Sequence, residues 1–120
     1  MTNILEKIIQ EKKQTLEVIK KNNSLSFLED KIKGINTFLN FKDAIDNNKK
    51  VSLISEIKKA SPSAGVLVKD FNHLDIAKMY VDNGSTCLSV LTEEKNFLGK
   101  LDYIKDIKDN FKIPVLAKDF

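Results

Sequence analysis

The chain's 120 residues are 42% hydrophobic, 31% charged and 8% aromatic, with two Pro, four Gly, one Cys and no Trp. That mixture excludes a disordered polar tract, which would hold fewer Ile, Leu, Val and Phe, and a disulfide scaffold, which one cysteine cannot build. All twenty basic residues are Lys and the net charge is only +3, so neither the Arg fork that reads base edges nor a strongly basic stripe points to a nucleic-acid partner.

No apolar run approaches the roughly 18 residues that span a bilayer. The opening MTNILEKIIQEKKQ carries charges where a signal peptide needs an apolar stretch. The expectation is a cytoplasmic globular domain.

The first elements in the chain read as helices. Ile4, Leu5, Ile8, Ile9, Leu16 and Ile19 keep near-helical spacing between Lys and Glu, the pattern of an amphipathic helix. Docking of this Lys-rich helix on a membrane is disfavoured because it lacks Trp or Phe. Asn22, Asn23 and Ser24 break it. Ser24 or Ser26 would then cap a second helix through Phe27, Leu28 and Ile32 towards Gly34. A third short helix is predicted over Thr37 to Ile45, closed by the turn-like run Asp46 to Lys50.

After Lys50 the period changes. VSLISEI (51–57), TCLSVLT (86–92) and IPVLAKD (113–119) read as strands. Leu74, Ile76, Ala77, Tyr80 and Val81 predict a helix ending at Gly84, and Leu101, Ile104 and Ile107 another ending near Asn110. The order β-α-β-α-β implies parallel strands with right-handed crossovers and both helices on one face of the sheet. The other face, carrying Val, Leu and Ile, would then lack a cover.

Polar chemistry gathers after each strand, at the carboxyl ends where parallel α/β proteins bind ligands. Glu56 and Lys58 are two apart and so face one side of an extended segment. Ser61, Ser63 and Gly65 add hydroxyls and a flexible backbone. By themselves Glu56 and Lys58 read most simply as an exposed ion pair. Lys118 ends the third strand at the same rim. Among apolar neighbours and beside another ammonium its pKa would fall, making it a general acid near neutral pH; the plainer reading is a solvated strand-end lysine. Phe97, after Thr92 and Glu93, could wall a pocket or cap the core. Cys87 reads as a small core residue, and His73, with no metal ligand at suitable spacing, as a surface or capping residue.

Three rim segments, SEIKKASPSAG (55–65), LSVLTEEKNFLG (88–99) and IPVLAKDF (113–120), together resemble the indole-3-glycerol-phosphate synthase family in order and spacing. The helix FNHLDIAKMYVDNGS and the N-terminal ILEKIIQEKKQTLE are similar to it as well, so the likeness covers nearly the whole chain. The resemblance implies an α/β fold: an incomplete TIM (β/α)8 barrel, with residues 1–50 a helical extension and 51–120 the first β-α-β-α-β portion. It implies conversion of 1-(2-carboxyphenylamino)-1-deoxyribulose 5-phosphate to indole-3-glycerol phosphate, carbon dioxide and water, without a cofactor or metal. By the same resemblance Lys118 is the general acid of ring closure, and Glu56 and Lys58 support substrate positioning and proton transfer. Ser61 binds substrate, while Phe97 and Phe120 line the pocket for its aromatic ring.

Ala64 departs from the family at a place where a basic residue is common, His73 where Pro is, Asn96 where an aromatic is, and Ala117 where a larger residue is. None removes an identified catalytic side chain. Three strands of the eight a barrel requires imply that this portion alone is inactive. The alternative is a non-catalytic stub acting as a binding or assembly module. The anionic substrate is the one partner implied, and fusion to or association with other enzymes of tryptophan synthesis stays open.

Overall fold

The computed structural model describes residues 3–120, so the first two residues of the expected helical extension lie outside the described residues. The chain divides into two compact units, one ending at Phe38 and the other Leu39–Phe120.

The first unit holds α1 (Ile4–Asn22) and α2 (Leu25–Ile32). The side chain of Asn3 accepts from the Glu6 N–H at 2.8 Å, and the Glu6 carboxylate accepts from the Asn3 N–H at 3.3 Å. This reciprocal box satisfies two N-terminal donors that the helix leaves unpaired. Of the two candidate caps for α2 the structure selects Ser24, whose hydroxyl accepts from the Phe27 N–H. The apolar spacing therefore forms helices as expected, yet no residue of either is buried.

The second unit opens with α3 (Phe41–Asp46). It starts four residues later than the apolar pattern predicts, because Asn40 caps it by accepting from the Asp43 N–H. Then come β1 (Ile54–Ile57), a two-strand ribbon of β2 (Ala60–Ser61) and β3 (Gly65–Val66), α4 (His73–Asp82), β4 (Cys87–Leu91), α5 (Asp102–Asn110) and β5 (Val115–Lys118). β1, β4 and β5 form a parallel sheet with β4 in the centre. The expected β-α-β-α-β order holds. β1 is shorter than its apolar run, since Val51 is solvent-exposed and the ladder begins where the Leu53 carbonyl accepts from the Thr86 and Cys87 N–H groups.

Alternation along the strands assigns the two faces. Ile57, Leu88 and Val90 join Ala77 of α4, Ile107 of α5 and Ile113 in one buried core. Both helices thus lie on the same face, as predicted. Ser55 is buried on that side and satisfied by the Ser85 hydroxyl at 2.8 Å. On the other face all of β4 is buried between its neighbours, whereas Ile54 and Leu116 on the outer strands are about half exposed, 45% and 47%. The lack of cover expected for that face is therefore confined to its margins.

Two features differ from the sequence reading. The β2–β3 ribbon was not anticipated: Pro62, Ser63 and Ala64 make its loop, and Gly65 follows at φ +67°, a left-handed conformation that a side chain disfavours. Strands of two residues are too short to show a period. His73, expected at the surface or as a cap, is partly buried, and the cap is Asn72. His73 begins α4, stacks on Tyr103 with ring centres 4.2 Å apart, and meets Asp106 of α5 at 2.8 Å through Nε2.

Candidate active site

Parallel pairing brings the carboxyl ends of β1, β4 and β5 to one rim. Glu56 is level with Ser89, and Lys118 with Leu91, two residues further along the same face. The long side chains close that offset. Lys118 Nζ donates to Glu56 Oε1 at 2.8 Å, and Lys58 Nζ lies 3.0 Å from Glu56 Oε2. One carboxylate thus bridges two ammonium groups. The trio keeps one positive charge in excess, and its side chains are 30% to 47% exposed, so it can receive an anionic ligand.

The electrostatics follow from that bridge. Burial pushes Glu56 towards the neutral form, but the hydrogen bonds from Lys118 and Lys58 and the charges behind them outweigh it, and the carboxyl titrates below its ordinary 4.5. Lys118 titrates above its ordinary 10.5, chiefly through its hydrogen bond to Glu56; burial opposes this, and the charges of Glu56 and Asp119 add to it. The expectation of a lowered Lys118 pKa is therefore reversed. The reason is geometric: the nearest charge to Lys118 is the carboxylate, which stands between it and the second ammonium.

The backbone of this trio is held from outside the sheet's own ladder. The Tyr80 hydroxyl of α4 donates to the Glu56 carbonyl at 3.0 Å. Thr92 donates to the Lys118 carbonyl twice, from its N–H at 3.0 Å and its hydroxyl at 3.2 Å. Beyond Lys118 the chain turns sharply, with Asp119 at φ +54°.

The other expected residues lie apart from these contacts. Ser61 sits on the ribbon, where its hydroxyl accepts from the Ala64 N–H and is 3.4 Å from that of Ser63. Phe97 is half-buried in the loop after β4, and Phe120 is 77% exposed. Cys87 is buried, as its small apolar character predicts, and burial pushes its thiol pKa up. The sequence pattern does not single out Tyr80 of α4 or Thr92 as supports, nor Glu93, which follows Thr92 and is buried. The signal available for the last two was a Thr-Glu pair placed directly after a strand. Among the described residues no helix is long and apolar enough to cross a membrane.

Comparison with known proteins gives the chain a family. The family model described as indole-3-glycerol phosphate synthase matches residues 5–120. The chain is similar to the indole-3-glycerol phosphate synthase of Desulforamulus reducens, 43% identical over 98% of this chain and 44% of that protein. It is similar to that of Legionella pneumophila strain Lens, 44% identical over 100% of this chain and 46% of the relative, and to that of Clostridium acetobutylicum, 43% identical over 98% and 45%. The chain spans about half the length of the curated relatives it matches. With three parallel strands, crossover helices on one face and a match running from residue 5 to residue 120, the chain belongs to the indole-3-glycerol phosphate synthase family, and its sheet is part of that family's (β/α)8 barrel.

Proposed function

We propose that this chain is the N-terminal portion of an indole-3-glycerol-phosphate synthase, acting within a complete barrel. Residues 1–50 serve as its helical extension and 51–120 as its first β-α-β-α-β portion. The observation that carries the reading is Glu56 bridging Lys58 and Lys118 at the carboxyl-end rim.

The substrate is 1-(2-carboxyphenylamino)-1-deoxyribulose 5-phosphate. Its ring carbon bearing the carboxylate attacks the ribulose carbonyl carbon, and the carbonyl oxygen takes a proton from Lys118 Nζ. The bond to the carboxylate then breaks, carbon dioxide leaves, and its electron pair restores the aromatic ring. Loss of the new hydroxyl as water, with a proton from the adjacent carbon, completes the indole. Atoms and electrons balance without an oxidant or reductant, so no cofactor is required.

Lys118 suits the first step because a cation beside the carbonyl stabilises the developing alkoxide. Glu56 keeps Lys118 protonated and aimed, and takes part in proton transfer. Lys58 holds the departing carboxylate. Ser61 contacts the substrate, and Phe97 and Phe120 wall its ring. A phosphate ester of this charge does not cross bilayers, which supports a cytoplasmic setting.

The test joins the chain in frame to the remaining part of the Desulforamulus reducens relative and measures indole-3-glycerol phosphate formation. Turnover is expected. A folded fusion that binds the substrate without converting it would overturn the catalytic reading in favour of a binding module.

A further inference from the structure

The loop that follows β4 is unusually tied down for an exposed connection. Glu93 is only 5% exposed. Its Oε2 accepts from the N–H groups of Asn96 at 2.6 Å and Phe97 at 3.1 Å, and its Oε1 accepts from the Lys95 N–H at 3.1 Å and the Asn96 side-chain amide at 3.3 Å. Burial would neutralise the carboxyl, yet these donors outweigh it and hold the pKa below 4.5. The Glu93 carbonyl closes the loop by accepting from the Gly99 N–H at 2.8 Å. Leu98 adopts φ +53°, a conformation that costs a branched side chain and persists only where neighbours impose it.

Immediately before Glu93, Thr92 grips the Lys118 carbonyl through two hydrogen bonds. One short segment therefore holds the backbone of Lys118 at its start and carries Phe97 within its carboxylate-bound turn. The donors to the Glu93 carboxylate all come from its own loop among the described residues, so its influence on chemistry passes through other residues.

From this we infer that Glu93 and Thr92 are positioning residues: the buried Glu93 carboxylate sets the turn that presents Phe97 at the rim, and Thr92 sets the backbone of Lys118. The inference rests on the synthase reading for its chemistry, but the hydrogen-bonded clamp stands independently of it.

Two measurements test it. Amide exchange on the 120-residue chain compares the parent with Glu93→Gln, which keeps the volume but turns an NH2 group towards backbone donors. Exchange at Lys95, Asn96 and Phe97 is expected to accelerate by about tenfold or more, the scale of one or two lost hydrogen bonds, while Leu88 and Val90 keep their rates. Unchanged loop rates, or equal acceleration in loop and strand, overturn the clamp.

In the complete barrel, Glu93→Gln is expected to raise KM several-fold through Phe97. Thr92→Val, which removes only the hydroxyl bond, is expected to lower kcat several-fold with KM little changed, through Lys118. Equal falls in kcat at constant KM, the mark of a smaller folded fraction, overturn the positioning roles. A complete barrel whose parent form makes no product overturns the synthase reading instead, and exchange then decides the clamp alone.

Discussion

Lys118 and Glu56 each hold the other in its charged form, and that mutual dependence sets the pH behaviour of the site. The lowered Glu56 pKa gives a contribution to stability that is complete above 4.5 and lost as pH falls through the depressed value. The raised Lys118 pKa gives one that is complete below 10.5 and lost as pH rises through the elevated value. Between those limits the pair is insensitive to pH. In the complete barrel the alkaline loss of kcat due to Lys118 is therefore expected above 10.5, and Glu56→Gln should move it to lower pH. A pH–rate profile of both forms checks this, and an alkaline limb that stays put would separate Glu56 from the acid. Lys118→Met should keep the fold, since Met replaces the aliphatic stem, while lowering turnover by about 10² or more, the usual scale of lost acid catalysis. Lys112→Met should do little. It precedes β5, at the end of the sheet opposite the rim, where residues bear on stability. Product formation and thermal unfolding of both variants make the comparison, and equal losses would overturn the role proposed for Lys118.

At the scale of elements, two tertiary contacts carry consequences that strand and helix patterns do not. Gly99 passes so close to β4 that an added Cβ would lie 2.2 Å from the Leu91 carbonyl oxygen. Backbone atoms cannot swing away as a side chain can. Gly99→Ala is therefore expected to destabilise the second unit by about 1–3 kcal/mol, the range for forcing extra volume into a packed site. The midpoint of urea unfolding reads it, and a midpoint equal to the parent's would refute the close approach. On the helical face, His73 links α4 to α5 through Asp106 and the Tyr103 ring. His73→Ala should cost about 1 kcal/mol or somewhat more, from one partly buried hydrogen bond and one ring stack. The same titration measures that loss, with Asp106→Ala expected to cost less because it leaves the stack in place.

At the scale of the whole molecule, exposed apolar surface dominates. α1 and α2 bury no residue, Ile54 and Leu116 are half exposed on the sheet, and Phe120 is 77% exposed. Among the described residues β1 and β5 each pair with β4 alone, leaving an open edge on either side. Closing a barrel removes such edges, whereas an open parallel sheet offers them to other chains. The 120-residue chain by itself is therefore expected to self-associate at micromolar concentration. Sedimentation velocity checks this, and a monomer with cooperative unfolding would show that these surfaces are compatible with isolation.

Much of this was legible in the sequence because it depends on local period. Apolar spacing near 3.6 placed α1, α4 and α5; short β-rich runs placed β1, β4 and β5; Gly84, at φ +86°, marked the end of α4 where a left-handed residue was needed. The two-residue separation of Glu56 and Lys58 already required a common face. Other features needed the fold, because they join residues far apart in the chain. Glu56 meets Lys118 across 62 residues, and His73 meets Asp106 across 33. Whether a carboxylate or an ammonium would stand nearest Lys118 was set by strand register, and with it the sign of the Lys118 shift. Nothing in the sequence separates Glu93 from its neighbour Glu94; only the folded loop turns its own backbone N–H groups towards the first of them. A sequence states which groups are available, but the field each one feels comes from neighbours that only tertiary packing brings within hydrogen-bonding distance.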